Sequence, residues 1–386
     1  MPGANETVLI TGARAPVALH LARLLHGAGH RVILADTPAR PIAAASKACA
    51  RYHRLPPPRF EPRSYADAVE ALIRAEGIGL VIPTCEEVFH LALAWRGRTM
   101  PTRLFAPDLG LLAQVHNKHG FIRLAEQLGL AVPETTLLNS RDDLEAVRGR
   151  SRDLVFKPVW SRFASHVLLR PTPDFLDAIA PSPAMPWVAQ RFVEGEEISA
   201  YAVARDGQLK ALALYRSLYR AGKGAGIFFE RVEDAAAREL VERVVAGTAW
   251  TGQISFDLMR EADGRVLPLE CNPRAVSGLH FFRDPARFVD AALGEGPEVT
   301  PDVTAPQTVQ LAMWIYGLPA ALRSGGLAHF RKAMREGEEL LDWPGDSAPV
   351  RAQWAALAEI AGVALRQGIS LQSASTRDIE WNGTNR

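Results

Sequence analysis

Two acidic residues face each other across a hairpin predicted at residues 254–274. This segment reads ISFDLMREADGRVLPLECNPR, and its Asp263-Gly264 pair is typical of a tight two-residue turn between antiparallel strands. In that register Asp257 lies opposite Glu270, and like charges on directly opposed residues destabilise a sheet. A bound cation would remove the conflict, so the sequence predicts a cation site on this hairpin.

The same face of the hairpin carries further polar groups. Side chains alternate along a strand, so Asn272 and Arg274 share the face of Glu270, and Ser255 shares the face of Asp257. Carboxylate and amide oxygens suit Mg²⁺ bridged to a nucleotide phosphate. The predicted metal ligands are therefore Asp257, Glu270 and Asn272, with Ser255 as the alternative on the first strand. For a single acidic pair, an exposed hairpin with a solvated polar face is the simpler explanation.

Two lysines upstream occupy positions where a bound anion would stabilise them. Lys157 follows the apolar run LVF in a predicted strand, and burying an unpaired ammonium is costly. Lys118 begins a predicted helix, where a cation opposes the helix dipole. Taken alone, Lys157 is explained by a salt bridge and Lys118 by a solvated surface position. A phosphate near the start of the helix would satisfy both charges.

A connection between two predicted strands, QRFVEGEE at residues 190–197, is a candidate for adenosine binding. Free backbone groups at Phe192 and Val193 would hydrogen-bond an adenine edge, and Glu197 would accept from ribose hydroxyls. An ordinary acidic turn is the alternative explanation of the same residues.

Apolar periodicity divides the chain into three predicted regions. Residues 1–115 alternate short apolar strands with helices, which is typical of a doubly wound α/β domain. Residues 116–300 mix strands and helices and contain the segments described above, whereas residues 301–386 are mainly helical. The predicted fold class is therefore α/β plus α+β, with a helical carboxy-terminal region.

The first region also contains a weak candidate for a dinucleotide site. Its TGAR segment (residues 11–14) lies where a dinucleotide-binding fold carries its glycine loop, and Asp36 follows the second strand, where a ribose ligand would lie. The loop lacks the GxGxxG spacing. A nicotinamide-dependent oxidoreductase is accordingly an alternative from another functional class.

Composition limits the classes of partner. The 386 residues suit two or three domains, and a hydrophobic fraction of 48% with a formal charge of +1 gives no case for nucleic acid or membrane binding. No membrane span or signal peptide is evident, so we expect a cytoplasmic protein. The cysteines Cys49, Cys85 and Cys271 are too dispersed for a disulfide framework or a zinc site, and Cys271 is predicted to point away from the metal ligands.

The order of these features resembles the ATP-grasp superfamily, especially its members related to carbamoyl phosphate synthetase and the biotin carboxylases. The resemblance covers roughly residues 1–285. It rests on Lys118, then Lys157 in FKP, then QRFVEGEE, then FD and ECNPR in that order. It implies a Rossmann-like domain followed by a two-lobed ATP-grasp domain.

The resemblance also implies a role for each motif residue in binding ATP and Mg²⁺. Lys118 and Lys157 would contact the phosphates, Gln190, Phe192 and Val193 the adenine, and Glu197 the ribose; Asp257, Glu270 and Asn272 match the family's magnesium ligands, and Arg274 the arginine on the transferred phosphoryl group. One departure concerns the phosphate loop after Lys157, which reads VWSRFAS without glycine. Ser161 and Ser165 are its expected side-chain contacts.

Three basic residues lie in or near a glycine-bearing loop at 221–226. Arg216, Arg220 and Lys223 are candidates to hold a substrate carboxylate or to close over an acyl phosphate. A basic surface loop is the equally simple explanation.

Four further residues are candidates for substrate contact. Ser277 and His280 follow Arg274, although a lone histidine is more often structural. Glu86 and Glu87 follow a buried strand at the carboxyl end, where one of them would pair with a substrate ammonium. The competing assignment is a helix start, which favours acidic residues.

The resemblance implies an ADP-forming carboxylate-amine ligase. Members of the family activate a carboxylate with ATP, and a nucleophile, usually an amine, then displaces phosphate. The expected partners are a small carboxylic acid, such as an amino acid, an amine, and a second copy in a homodimer. The alternatives are a bicarbonate-activating carboxylase or carbamoyl phosphate synthetase-like enzyme, and a non-catalytic nucleotide sensor.

Overall fold

The strands of this protein form three sheets in the part of the chain that the computed structural model describes, residues 6–160, 167–221 and 224–383. Within these ranges there is an N-terminal sheet of five strands, a small sheet of four and a large sheet of seven. The mixed α/β plus α+β class predicted from the sequence is confirmed. No helix in these ranges is long and apolar enough to span a bilayer.

The N-terminal region is a parallel sheet with helices between its strands. Its strand order β3-β2-β1-β4-β5 is that of a doubly wound Rossmann-like fold. The elements are β1 (Thr7–Thr11), α1 (Pro16–Gly27), β2 (Arg31–Asp36), β3 (Arg51–Arg54), α2 (Pro62–Glu76), β4 (Leu80–Ile82), α3 (Glu87–Arg96), β5 (Arg103–Leu104) and α4 (Leu109–His116). Both faces of β1 and β2 are buried, which explains their continuous apolar runs.

The small sheet forms the next lobe. Its elements are α5 (Lys118–Gln127), β6 (Thr135–Leu138), α6 (Arg141–Arg148), β7 (Leu154–Pro158), β8 (Leu168–Leu169) and β9 (Trp187–Arg191). The strands pair antiparallel in the order β6-β9-β7-β8. Phe156 and Trp187 lie in a separate apolar core, so this lobe has its own interior.

The large sheet forms the second lobe. Its elements are β10 (Glu196–Arg205), β11 (Gln208–Arg220), β12 (Gly226–Val232), α7 (Ala235–Gly247), β13 (Gly252–Arg260), β14 (Val266–Asn272) and α8 (Pro285–Leu293). One face packs on α7 through residues such as Phe256 and Leu258, which are at most 1% exposed. The alternate residues, including Asp257 and Ser199, lie on the other face, because side chains alternate along each strand.

The predicted hairpin is present, with its register confirmed at the polar end and wrong at the turn. Asp257 pairs with Glu270, and Ser255 pairs with Asn272. At the turn Arg260 pairs with Val266, and Gly264 adopts a left-handed conformation at φ 88°, as in a three-residue loop. This loop displaces the pairing by one residue.

A β-bulge compensates for the longer turn. The register shifts between Asp257 and Leu258, whose partner is Pro268, so Leu269 is the extra residue on β14. Bulges of this kind are frequent beside active sites, where they redirect backbone or side-chain groups. Here the bulge restores the pairing of the two acidic residues.

The carboxy-terminal region is mainly helical, as predicted, but it also extends the large sheet. Its elements are β15 (Gln307–Thr308), α9 (Gln310–Ala312), α10 (Leu318–Ser324), α11 (Leu327–Glu336), β16 (Glu338–Glu339), α12 (Ala348–Gln367) and α13 (Leu371–Ala374). β15 pairs with β12, and β16 pairs with β15. The boundary predicted at residue 300 therefore divides strands of one sheet.

A carboxy-terminal strap, residues 375–383, crosses the carboxyl end of the N-terminal sheet. Asp378 forms an ion pair with Arg14 at 2.6 Å, just after β1. The Trp381 backbone N–H donates to Glu86 Oε2 at 3.1 Å, and the indole stacks on Phe89 with ring centroids 5.5 Å apart. The strap thus joins the last residues of the described chain to the first domain.

We expect Trp381→Ala to destabilise the protein, because Trp381 is only 6% exposed and large-to-small changes at buried aromatic sites cost about 3 kcal/mol or more. Urea unfolding followed by far-UV circular dichroism measures the effect. Trp354→Ala is the matched control, since Trp354 is 61% exposed on α12. Equal midpoints for the two variants would contradict the packing role of the strap.

Candidate active site

One cavity of about 1070 Å³ is lined by residues of the N-terminal region, the small sheet, the large sheet and the carboxy-terminal region. Most of the residues singled out in the sequence line it. These are Lys118, Lys157, Gln190, Phe192, Val193, Glu197, Arg220, Ser255, Asp257, Glu270, Asn272, Arg274, Ser277 and His280. The order of motifs along the chain therefore becomes a cluster in space.

The floor of the cavity is a row of polar residues on adjacent strands of the large sheet. Glu270 pairs with Asp257, Asp257 with Ser199, and Ser199 with Tyr215. The Ser199 hydroxyl donates to Asp257 Oδ1 at 3.2 Å. Because the row is fixed by strand pairing, the positions of its side chains follow from the sheet register.

The acidic pair is electrostatically unequal. Burial, followed by the facing Glu270 carboxylate, raises the pKa of Asp257. Burial alone would also raise the pKa of Glu270, but the ammonium groups of Lys118 and Lys157 outweigh it and lower that pKa. Lys118 Nζ lies 3.3 Å from Glu270 Oε2 and is only 4% exposed on its side chain. The sheet alone therefore leaves a like-charge conflict, and cations from the other lobe relieve part of it.

Lys157 is buried and held by neutral oxygens. Its ammonium donates to Gln190 Oε1 at 3.0 Å and to the Leu269 carbonyl at 3.2 Å. Burial lowers the pKa of Lys157 to about 8, although the Glu270 carboxylate acts in the opposite direction. The Leu269 carbonyl belongs to the bulged residue of β14, so the bulge supplies one contact of this lysine.

Gln190 is oriented by contacts at both ends of its amide. Its oxygen accepts from Lys157, and its nitrogen donates to Thr135 Oγ1 at 3.0 Å on the neighbouring strand β6. These contacts fix the side chain at the cavity wall. The side chain is therefore held against Lys157 while it lines the cavity.

The hairpin residues fit a magnesium ion by the chemistry of their donors. Within residues 6–160, 167–221 and 224–383 no group of three or more His, Cys, Asp or Glu is suited to a metal. Asp257, Glu270 and the amide of Asn272 are oxygen donors, and Mg²⁺ is commonly held by one or two carboxylates plus substrate phosphates. The Ser255 hydroxyl donates to the Asn272 carbonyl at 3.0 Å, which favours Asp257 over Ser255 as the ligand.

An apolar slot lies between the two lobes beside these polar groups. Val155 and Leu169 line it from the small sheet, and Met259 and Leu269 line it from the hairpin. The sequence reasoning missed all four. The position of Met259 could have been predicted, because Met259 lies two residues from Asp257 and therefore on the same face of the strand. The position of Leu269 depends on the bulge.

The backbone contacts predicted at the 190–197 connection need correction. The Phe192 N–H donates to the Asp153 carbonyl at 2.8 Å, so it is not available to an adenine edge. The Phe192 ring instead packs under the Arg170 guanidinium at 5.0 Å. Across the described ranges no hydrogen bond engages the Val193 N–H, and Val193 lines the cavity.

Glu197 and Arg220 form an ion pair on neighbouring strands. Arg220 Nη2 lies 2.5 Å from Glu197 Oε1, and both residues line the cavity. A ribose hydroxyl at Glu197 would share that carboxylate with the arginine. Arg220 was predicted as a substrate contact, and it lies at the cavity wall in its ion pair with Glu197.

Arg274, Ser277 and His280 follow β14 and line the cavity. Arg274 Nε is buried and has no hydrogen-bond partner among the described residues, so it is available to an anion.

His280 is 1% exposed and contacts His20 edge-on, with ring centroids 4.8 Å apart, and burial lowers its pKa well below the ordinary histidine value. The histidine is thus a neutral core residue at the cavity edge, which is the structural alternative.

Three predicted substrate residues lie away from the cavity. Arg216 forms ion pairs with Glu196 at 2.7 Å and Glu230 at 3.1 Å. Glu86 binds the strap, and Glu87 accepts from the Thr11 hydroxyl at 2.7 Å. The latter two therefore hold the fold together and give no support to an ammonium site.

Three other predicted contacts, Ser161, Ser165 and Lys223, lie outside the described residues.

The N-terminal region offers no support for a nicotinamide site. Asp36, the predicted ribose ligand, accepts from the Arg14 backbone N–H at 2.8 Å and pairs with the Arg14 guanidinium at 2.5 Å. That guanidinium also binds Asp378 of the strap. The predicted ribose ligand is thus already paired within the protein, although the loops at this end of the sheet line the cavity.

Comparison with known proteins finds a family model that matches part of the chain. The family model of the ATP-grasp domain matches residues 115–278. No curated protein sequence matches the chain significantly.

Solved structures share the fold at low sequence identity. The N5-carboxyaminoimidazole synthetase of Staphylococcus aureus has a TM-score of 0.61 and 10% identity over 78% of this chain and 80% of its own. The L-amino acid ligase of Bacillus licheniformis has a TM-score of 0.60 and 18% identity over 79% and 80%. The biotin carboxylase domain of a Hydrogenobacter thermophilus carboxylase, solved with ADP and magnesium, has a TM-score of 0.59 and 10% identity over 78% and 73%. Residues 115–278 of this chain thus match the ATP-grasp domain model, and the solved structures share the fold of most of the chain.

Proposed function

We propose that this protein is an ATP- and Mg²⁺-dependent, ADP-forming ligase that activates a small carboxylic acid and joins it to an amine. One observation carries the proposal, namely that two facing carboxylates, two buried lysines and a partly unpartnered arginine line one cavity. These residues are Asp257, Glu270, Lys118, Lys157 and Arg274. Phosphoryl transfer depends on positioning and on neutralising charge, which such a cluster supplies.

In this proposal ATP lies between the small and large sheets. The apolar slot of Val155, Leu169 and Met259 suits a flat base, with Val193 offering its backbone N–H to the adenine edge. Glu197 would accept from the ribose. Lys118 and Lys157 would then neutralise the phosphates. The phosphates would in turn give these two buried ammonium groups an anionic partner, which offsets the cost of burying them.

Asp257, Glu270 and Asn272 would hold Mg²⁺ against the ATP phosphates. When bound, the ion neutralises phosphate charge. Burial and then the facing Glu270 carboxylate raise the pKa of Asp257, and a bound cation would offset the second of these effects because both carboxylates would then face it. The proposal therefore accounts for an acidic pair that the sheet itself disfavours.

The proposed reaction has two steps. A carboxylate oxygen of the acid attacks the γ-phosphorus of ATP, the bond to the β-phosphate oxygen breaks, and ADP leaves with an acyl phosphate formed. An amine nitrogen then attacks the acyl carbon, phosphate departs with the bonding electrons, and the nitrogen loses a proton to give an amide. Arg274 is proposed to hold the moving phosphoryl oxygens and Lys118 and Lys157 to offset their charge.

The activity is tested by incubating the full chain with Mg²⁺ and ATP alone, with added bicarbonate, and with pairs of acids and amines. ADP release and product mass are measured. The proposal expects ADP release that requires both an acid and an amine, with an amide as the product. ADP release sustained by bicarbonate without any amide would indicate a bicarbonate-activating enzyme, and ATP binding without turnover would indicate a nucleotide sensor.

The homodimer remains a prediction that light scattering can test.

We expect Arg274→Met to reduce turnover by about 100-fold, the size typical of losing one donor to developing negative charge. The affinity for Mg²⁺-ADP should change far less, because Arg274 is assigned to the transferred group. Arg216→Met is the matched control, since Arg216 is ion-paired outside the cavity. Equal turnover in the two variants would contradict the role of Arg274.

We expect Glu270→Gln to weaken Mg²⁺-dependent nucleotide binding by about tenfold or more, because one ligand carboxylate is lost. Isothermal titration with ADP, with and without Mg²⁺, separates the metal's contribution. Asp263→Asn makes the same chemical change at the exposed turn of the same hairpin and should bind as the unchanged protein does. A magnesium dependence retained in Glu270→Gln would refute the metal role.

A further inference from the structure

The cavity extends past the proposed ATP site into a second compartment. This compartment lies between the loops that follow β1 to β3 and helix α12, and the strap runs along it. Six apolar residues that line it are Val17, Pro41, Phe60, Ala356, Ile360 and Val363. Val276 and Ser277 also line the cavity and connect this compartment to Arg274 along the chain.

Helix α12 presents one apolar face to the compartment. The cavity-lining residues Ala356, Glu359, Ile360 and Val363 recur at intervals of three and four, which places them on one side of a helix. Although the helix is rich in apolar residues, only Pro349 and Ala364 of its 20 residues are buried. Ile360 and Val363 are partly exposed while facing the cavity, so their surface is left for a ligand to cover.

Two charged side chains that line the compartment are already paired within the protein. Arg14 binds Asp36 at 2.5 Å and Asp378 at 2.6 Å. The Glu359 carboxylate accepts from the backbone N–H groups of Ala39 and Arg40 at 2.8 and 2.9 Å. Breaking the Arg14 contacts to bind a charged ligand group would leave a guanidinium that is only 12% exposed without its partners, which is costly.

Three cations lie at the rim. Arg40, Arg54 and Arg377 line the cavity but are exposed, and none of their guanidinium groups forms an ion pair with a carboxylate among the described residues. Exposed charges contribute little to affinity because water and salt screen them. Apolar contact is therefore the main interaction that the compartment offers, and an acidic ligand is the competing outcome of a test.

We propose that the second compartment binds the apolar side chain of the ligase's acid or amine substrate, and that Ile360 and Val363 of α12 determine this specificity. The substrate class is an amino acid or related compound with an aliphatic or aromatic body. Its reacting group would lie toward Arg274, at the junction with the proposed ATP site. This inference rests on the proposed function, since it assigns the substrate of the same cavity.

The test uses the full chain with Mg²⁺ and a nonhydrolysable ATP analogue, titrated with L-leucine, L-phenylalanine, L-glutamate and L-lysine by calorimetry. We expect leucine and phenylalanine to bind at least about tenfold more tightly than glutamate and lysine, as burying an aliphatic or aromatic side chain implies. Val363→Asp should remove that preference. Leu365→Asp is the matched control on the same helix, because Leu365 is 84% exposed and does not line the cavity.

Equal binding of leucine and glutamate, an unchanged preference in Val363→Asp, or no binding of any of the four amino acids would overturn the inference. Circular dichroism and ADP affinity check that the variants fold and keep the nucleotide site. If Val363→Asp does not fold, Val363→Thr makes a smaller polar change at the same site and should weaken leucine binding. Selective binding without ADP formation in wild type would overturn the proposed function alone, and ADP formation without apolar selectivity would overturn this inference alone.

Discussion

The facing carboxylates of Asp257 and Glu270 are the constraint on which the site depends. Strand pairing fixes them opposite each other, and an opposed like-charge pair opposes sheet formation. The fold retains the pair because ammonium groups from other elements approach it, with Lys118 in direct contact with Glu270. The electrostatic cost of placing two carboxylates side by side in the hairpin is thus offset only when the lobe that carries the two lysines packs against it.

That dependence explains why the two lobes meet where they do. Lys118 begins α5 and Lys157 lies near the end of β7, so two separate elements of the chain deliver cations to one hairpin. The bulge at Leu269 joins them further, since its carbonyl accepts from Lys157. A cavity with paired acids and inward cations is therefore a consequence of how the hairpin and the small sheet pack together, and it is this arrangement that suits a metal and phosphates.

Local patterns in the sequence predicted much of this arrangement. The pairing of Asp257 with Glu270 followed from the alternation along two strands and from the turn, because both are properties of neighbouring residues. The turn itself was assigned one residue too short, and the bulge cancelled that error at the polar end. The longer turn shifts the pairing by one residue and the bulge shifts it back, so the polar end has the same pairing as in a hairpin with neither feature. The alternation of apolar residues therefore cannot reveal the two shifts there.

Contacts between distant segments were beyond sequence reasoning. Glu86 looked like a ligand because it follows a strand, yet it binds the backbone of Trp381, almost at the other end of the chain. The Phe192 N–H was predicted to be free, but it donates to the carbonyl of Asp153 in a different strand connection. The strap that covers the first sheet carries no motif. Such contacts are set by tertiary packing, and a single sequence contains no local signal for them.

The most direct measurement is a crystal structure of the full chain with Mg²⁺ and a nonhydrolysable ATP analogue. The account predicts one metal ion bound by Asp257 and Glu270, with the nucleotide phosphates beside Lys118 and Lys157 and the base between the two sheets. A nucleotide bound at the carboxyl end of the N-terminal sheet, or a metal bound away from the two carboxylates, would contradict it.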